Sequence, residues 1–312
     1  MIIQLDSAYL SRLSFSDVSE LYYAIALNGH YLDCSNATLI LMQQALEESG
    51  NRKQKSVVRR NYQGHLTAEL RKYLTTIVAN HYGYDELMII VSKPSCLLIE
   101  NLAYESDVYR GLIGTYTNDP KFGNLFKKLD QAKRRGWFTF LHAGGCGMMR
   151  PLLEYYETRD YRGVTDKKIA VLMDRDTDNG TSFPSRRNSL FSFLAGKDAK
   201  AVTNADIYSL HQNEYIWHMW YKRAIENYFP PIQYDNLGMP SVSAPAFPVD
   251  WSYKNLSARR GIGIRGYDKN RLHDVSIGMS RNDYENHCDV FSVDGQNMTE
   301  MQLFLLKLVR LI

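Results

Sequence analysis

Four cysteines in 312 residues are too few, and too scattered, to staple this chain. Cys34, Cys96, Cys146 and Cys288 show no metal-ligand spacing, and Cys96 sits inside an apolar run. Buried thiols in a reducing, cytoplasmic setting are expected, rather than disulfides or a zinc site. An excess of one charge is also missing. The net charge is +3, so any contact with nucleic acid has to come from local patches. No apolar run approaches the ~20 residues that span a bilayer. The opening Met1-Ile2-Ile3-Gln4-Leu5-Asp6 has no basic region followed by an apolar stretch, so neither a membrane span nor a signal peptide is expected. There is no internal repeat and no low-complexity tract. Apolar content is what remains: at 45% hydrophobic and 12% aromatic residues the chain can bury a core, which excludes general disorder.

Residues 1–93 read as a mostly helical region. Ser14 caps a helix through Val18, Leu21 and Ile25. A second helix runs through Leu39, Met42 and Leu46 to a stop near Gly50, and a third through Leu66, Leu70, Leu74 and Ile77 to Gly83. Between them Arg52-Lys53-Gln54-Lys55 and Arg59-Arg60 form a charged run, read as a solvated face or loop that could also meet phosphates. After Pro94 strands and helices alternate. Cys96–Ile99 is a strand ending at Glu100, Ser106 caps a helix through Val108 and Leu112, and Trp137–Leu141 is a second strand. Gly144-Gly145-Cys146-Gly147 then turns the chain into a further helix. This alternation predicts an α/β domain over 94–235, with a mainly parallel sheet between helices. Residues 236–312 form a loop-rich extension ending in an amphipathic helix through Met301, Leu305 and Leu308.

The most informative segment is Lys168-Ile169-Ala170-Val171-Leu172-Met173-Asp174-Arg175-Asp176-Thr177-Asp178. An apolar run of strand length, buried on both faces, ends in three aspartates at alternate positions. Ligands of α/β sheets bind beyond the carboxyl ends of the strands. Carboxylates there can hold a hard cation or move protons. Crowded carboxylates repel unless a cation or proton sits between them.

Glu100, the glycine turn 144–147, Asp174 with Asp176, and Lys222-Arg223-Ala224-Ile225-Glu226-Asn227-Tyr228 stand in an order that resembles the TOPRIM fold of topoisomerases, primases and OLD-family nucleases. The last stretch is similar to the OLD-type branch and to the stand-alone TOPRIM subunits of PARIS-like phage-defence systems. The resemblance covers about 94–232. It implies a nuclease using Mg2+ or Mn2+ on DNA or RNA, with Glu100, Asp174 and Asp176 as the main metal cluster. Glu226 or Asp107 would hold a second ion or orient water, Asp178 would be an outer or alternative ligand, and Lys222 would stabilise the phosphoryl charge. Asn101 stands where the family has glycine, and the spacing to Asp107 is stretched. OLD proteins carry an ATPase, yet no Gly-x-x-x-x-Gly-Lys-Ser/Thr occurs here. The resemblance therefore implies a separate ATPase or sensor partner in antiviral defence, and it leaves homo-oligomer formation open. Arg186-Arg187, Lys133-Arg134-Arg135 and Arg259-Arg260 could track a nucleic-acid backbone.

Plainer readings compete with each of these. The aspartates could cap a helix or join surface ion pairs. Glu226 could sit in a first helical turn, and Lys222 could be a surface lysine. Glu105 is expected in solvent. The glycine turn could be a tight turn without a ligand, and Cys146 has no partner histidine to make it a nucleophile. His211 and His218 read as structural. Tyr215, Trp217, Trp220 and Tyr221 read as core, although bases can stack on such residues. Gly261-Ile262-Gly263-Ile264-Arg265-Gly266 matches a dinucleotide fingerprint as a string but lacks its strand and helix. At the level of function the alternatives are an inactive TOPRIM adaptor and a metal-dependent nucleotidyl transferase.

Overall fold

The computed structural model describes residues 1–312 except 65, 165, 213–214, 238–250, 254–255 and 257–267. The glycine string 261–266 and Arg259-Arg260 lie outside the described residues. Strands β1 (Ile2–Gln4), β2 (Tyr31–Asp33) and β3 (Thr76–Val78) form a parallel sheet in the order β2-β1-β3. Strands β4 (Ser95–Ile99), β5 (Phe138–His142), β6 (Ile169–Met173) and β7 (Ile216–Met219) form a second parallel sheet in the order β5-β4-β6-β7. Strands β8 (Val290–Val293) and β9 (Gln296–Thr299) make an antiparallel hairpin. Asp294 and Gly295, both at positive φ, form its two-residue turn, as the twist of a tight hairpin requires.

The fold is α/β, with parallel sheets between helices. Every residue of β4 and β6 is buried, which is why both read as continuous apolar runs. The parallel direction brings the carboxyl ends of β4, β5, β6 and β7 to one rim.

The region 1–93 departs from the helical expectation, because it contains the first sheet. Its strands are three residues each, too short to show a period of two against flanking helices. The expected third helix is instead helix Ala68–Tyr73, strand β3 and the 3-10 turn Ala79–His81, and a further helix, Tyr84–Ser92, follows Gly83. The first two helices form as read, as Phe15–Leu27 with a Ser14–Asp17 capping box and as Asn36–Ser49.

The closing helix Glu300–Val309 is not amphipathic: all ten of its residues are buried. A helix apolar all round belongs inside a core, and its two charged residues are satisfied there. Lys307 Nζ donates to the carbonyls of Trp217 at 2.8 Å and of Ile207. The Glu300 carboxyl accepts from Tyr221 N–H at 2.7 Å and from the Tyr228 hydroxyl, and it lies 3.1 Å from His218 Nε2. Beyond this helix the chain ties the sheets together. Thr75 N–H, next to β3, donates to Arg310 O at 3.2 Å, and Ser95 Oγ in β4 donates to Leu311 O. One continuous apolar core runs from Met1 to Leu311.

Burial pushes the Glu300 carboxyl up to about 8 and holds His218 well below its ordinary value. The pair is therefore neutral at physiological pH, and an amide fits it as well as an acid does. Glu300→Gln is expected to change unfolding free energy by no more than about 1 kcal/mol, whereas Glu300→Ala, which strands three buried partners, costs about 3 kcal/mol. Urea unfolding with equal losses for the two variants would disprove this account.

Candidate functional site

The rim collects acids from three strand ends. Glu100 follows β4, Asp174 follows β6, and Glu226 lies in the 3-10 turn Ile225–Tyr228 after β7. Asp174 N–H donates to Glu100 Oε1 at 3.3 Å. Asp176 adopts φ +56°, in the left-handed region that aspartate tolerates better than most residues. Its N–H donates to Arg223 O at 3.0 Å, locking the acidic loop to the segment after β7. Gly144 and Gly145, at φ +74° and +103°, turn the chain beyond β5, and Gly145 N–H donates to Glu100 O at 3.0 Å.

The helix after Glu100 starts earlier than its sequence suggests. Asn101, not Ser106, is the cap; its side chain accepts from Ala103 N–H, and the helix spans Leu102–Thr115. Glu105 then falls on the same face as Val108, Tyr109 and Leu112, at helical spacing, and is buried. The expectation that Glu105 faces solvent is thereby corrected. Two positions on, Asp107 turns to the opposite side, where it is half-exposed and pairs with Arg110 at 2.8 Å. Asp107 is not in the cluster.

The acids divide into two sets. Glu100 and Asp176 are neutralised by arginines: buried Arg187 lies 3.0 Å from Glu100 Oε1 and 2.7 Å from Asp176 Oδ2, and Arg186 lies 2.6 Å from Asp176 Oδ2. Arg187 also donates to Asp174 O. Buried Arg187 is thus part of the rim, which corrects its reading as a residue that could track a nucleic-acid backbone, while Arg186 pairs with Asp176 and stays exposed.

Glu105, Asp174 and Glu226 form the other set. All three are buried, and the positive charge among them is Lys269, whose Nζ lies 4.0 Å from Glu226 Oε1. Burial first, and then repulsion from Glu105 and Glu226, holds the Asp174 carboxyl well above the usual range. Burial also pushes Glu105 up to about 8; Lys269 opposes this, while Glu100 and Glu226 add to it. Attraction to Glu226, with smaller help from Asp174 and Glu105, raises Lys269. Among the described residues, Glu226 Oε2 is buried and finds no hydrogen-bond partner. Tyr109, donated to by Trp220 Nε1 at 3.4 Å, lies beneath these acids and feels all three.

Two further expectations are corrected. Lys222 is buried against the rings of Tyr228 and Trp251, 5.0 and 5.9 Å from their centroids, and donates to Asn227 O. The lysine standing at the carboxylates is Lys269. Asp178 is 90% exposed and pairs with Arg223 at 3.0 Å, outside the cluster. Tyr215, Trp217 and Trp220 are core residues, as read. His211 pairs with Asp294 on the surface, and His218 is in the buried network of Glu300. Burial pushes the Cys146 thiol up to about 11, which disfavours a nucleophile.

The sequence reading missed Glu105, Arg187 and Lys269 as members of one site. Glu105 has a signal, since it shares the apolar period of its helix. Lys269 has none, because it arrives from a distant loop-rich segment.

The donor chemistry fits a hard cation, being all oxygen. Ionised together, Glu105, Asp174 and Glu226 exceed Lys269 by the charge of one divalent ion. Among the described residues, however, no group of three His, Cys, Asp or Glu side chains is placed to hold a metal. No protein-family model matches the chain, and neither a curated protein nor a solved structure matches it.

The raised Glu105 carboxyl sets a pH dependence. Its folded form keeps the proton, so its contribution to stability is full below about pH 4.5 and is lost as pH rises through about 8. Glu105→Gln should match the wild type near pH 4.5 and exceed it near pH 8.5, by roughly 1–3 kcal/mol. Superimposable stability–pH curves for the two proteins would contradict the buried position of this acid.

Proposed function

We propose that this chain is a divalent-metal-dependent phosphodiesterase acting on DNA or RNA. The reading rests on one observation above the others: among the described residues, three buried carboxylates from three different elements converge with less positive charge than would balance them, and one buried oxygen, Glu226 Oε2, finds no hydrogen-bond partner. Asp174 and Glu226 would meet the ion, Mg2+ or Mn2+, for which oxygen donors are suited, with Glu105 buried beside them. A bound divalent ion would supply an activated water and relief of charge on the phosphoryl group.

The chain's own residues have separate tasks in this reading. Arg187 fixes Glu100 and Asp176 and, through the Asp174 carbonyl, the backbone that carries the third acid. Lys269, half-exposed above the acids, is placed to meet an incoming phosphate oxygen by electrostatics. Lys222 has a positioning role, bracing the turn that carries Glu226. Regulation by a separate ATPase or sensor, and a part in antiviral defence, are carried by the sequence resemblance alone. They belong to this proposal as its extension.

One observation favours a second reading, that of a binding module without catalysis. The described carboxylates are not placed to share an ion, and Lys269 and Arg187 already bring positive charge to them.

The test is cleavage of supercoiled plasmid and of tRNA in Mg2+ or Mn2+, with and without a co-expressed ATPase. Asp174→Asn and Glu226→Gln should each lower the cleavage rate at least about 100-fold, while Asp178→Asn and Asp107→Asn leave it within about twofold. Undiminished cleavage by Asp174→Asn refutes the assigned site. Absence of cleavage in every condition, together with no Mn2+ binding by calorimetry, selects the binding module.

A further inference from the structure

A basic helix and one arginine far from it in sequence, Arg135, meet on one face of the molecule, away from the acid rim. Helix Arg52–Asn61 is fixed by a capping box between Asn51 and Gln54 and buries Val57, Val58 and Asn61. Its other side carries Arg52, Lys55, Ser56, Arg59 and Arg60, which with Gly50 line an open cavity of about 580 Å³. Glu47 pairs with Lys55 at 2.9 Å and with Arg59 at 3.3 Å. Among the described residues, Arg52, Lys53 and Arg60 have no carboxylate within ion-pair distance.

At the end of this helix Asn61 Oδ1 accepts from Arg135 at 3.2 Å, and the Arg135 guanidinium stacks 4.9 Å from the Trp137 ring. Tyr62, the next residue, is 42% exposed. Arg135 precedes β5, at the amino end of the central sheet, whereas the acids follow the carboxyl ends. The parallel strands of five residues thus place this face about 17 Å from the rim.

We propose that this face binds the sugar-phosphate backbone of single-stranded nucleic acid, as an anchoring surface separate from the acid pocket. The cations recur once per helical turn, about every 5.4 Å, and span about 12 Å from Arg52 to Arg60. That length is enough to meet more than one consecutive phosphate of a single strand. An open basic groove with an exposed tyrosine beside it has the two components of sequence-tolerant strand binding, charge for the backbone and a ring for a base. An acidic protein would use the charge and leave Tyr62 idle. The proposal does not depend on phosphodiesterase activity, because the acids play no part in it.

The test is fluorescence anisotropy of a labelled 20-residue oligothymidylate and of oligouridylate with the full chain, across 50–200 mM salt. Three proteins are compared: wild type, the triple variant Arg52→Ala/Arg59→Ala/Arg60→Ala, and the charge-conserving triple Arg→Lys variant at the same positions. The alanine variant should bind at least about tenfold more weakly at 50 mM salt. Its slope of log K against log salt should be shallower by about 2, three contacts at about 0.7 each. The lysine variant should keep the wild-type slope, Tyr62→Ala should weaken binding without changing the slope, and Asp107→Asn, outside both sites, should bind as wild type does. If the alanine variant fails to fold, Arg60→Ala alone should lower the slope by about 0.7. Failure of the wild type to bind either oligomer at 50 mM salt overturns the proposal, as does an unchanged slope in the alanine variants. Equal competition by polyglutamate and by unlabelled oligomer overturns it in favour of an acidic protein partner.

Discussion

The constraint on which the rim depends is an imbalance of buried charge. Three carboxylates, Glu105, Asp174 and Glu226, are removed from water beside Lys269. Burying ionised groups without matching partners is among the more costly arrangements open to a folded chain. The protein reduces the cost by keeping protons, with Asp174 and Glu105 held above their usual range. It does not remove the imbalance, although a neighbouring part of the same rim shows how that is done. There Arg186 and Arg187 match Glu100 and Asp176 one for one. Neutralised and unneutralised acids a few residues apart indicate that the second set answers to something other than stability, and this contrast motivates the cation-binding proposal.

Much of the scaffold was legible in the chain, for a definite reason. Strands β4 and β6 are buried on both faces, so they appear as unbroken apolar runs, and the parallel connection puts Glu100 and Asp174 at the same edge. The long helices declared themselves through period and caps. What stayed hidden has equally physical causes. Strands of three residues carry no usable period, so the first sheet was concealed among helices. With the helix read from Ser106 instead of Asn101, Glu105 fell outside it and its place on the apolar face was missed, while Asp107 entered only through the resemblance. Lys269 could not be found at all, because its contact with Glu226 spans 43 residues of chain and leaves no local pattern.

The closing helix shows how the site is held from behind. Its Glu300 accepts from Tyr221, which precedes Lys222, and from Tyr228, which follows Glu226 in the turn after β7. The arrangement fixes the turn that presents Glu226 to the rim, from a helix with no residue in solvent. Lys307 of the same helix donates to the carbonyl of Trp217 in β7. Residues 300–311 thus brace the last strand, the turn and both sheets at once, which explains why a C-terminal segment has the burial of a central element.

The position of Lys269 joins these threads. Its side chain is half-exposed while the acids beside it are buried, so it reaches them from the solvent side. A cation approaching the carboxylates from outside meets a tethered positive charge first. An approaching phosphate meets an attractive one. The same side chain therefore disfavours a free ion and favours a bound anion, and an ion and a phosphate arriving together would satisfy acids and lysine alike. On electrostatic grounds the pocket suits a cation accompanied by an anionic ligand better than a bare ion. That preference is set by a residue outside the α/β region that supplies the acids, so the rim and the C-terminal extension form one electrostatic unit.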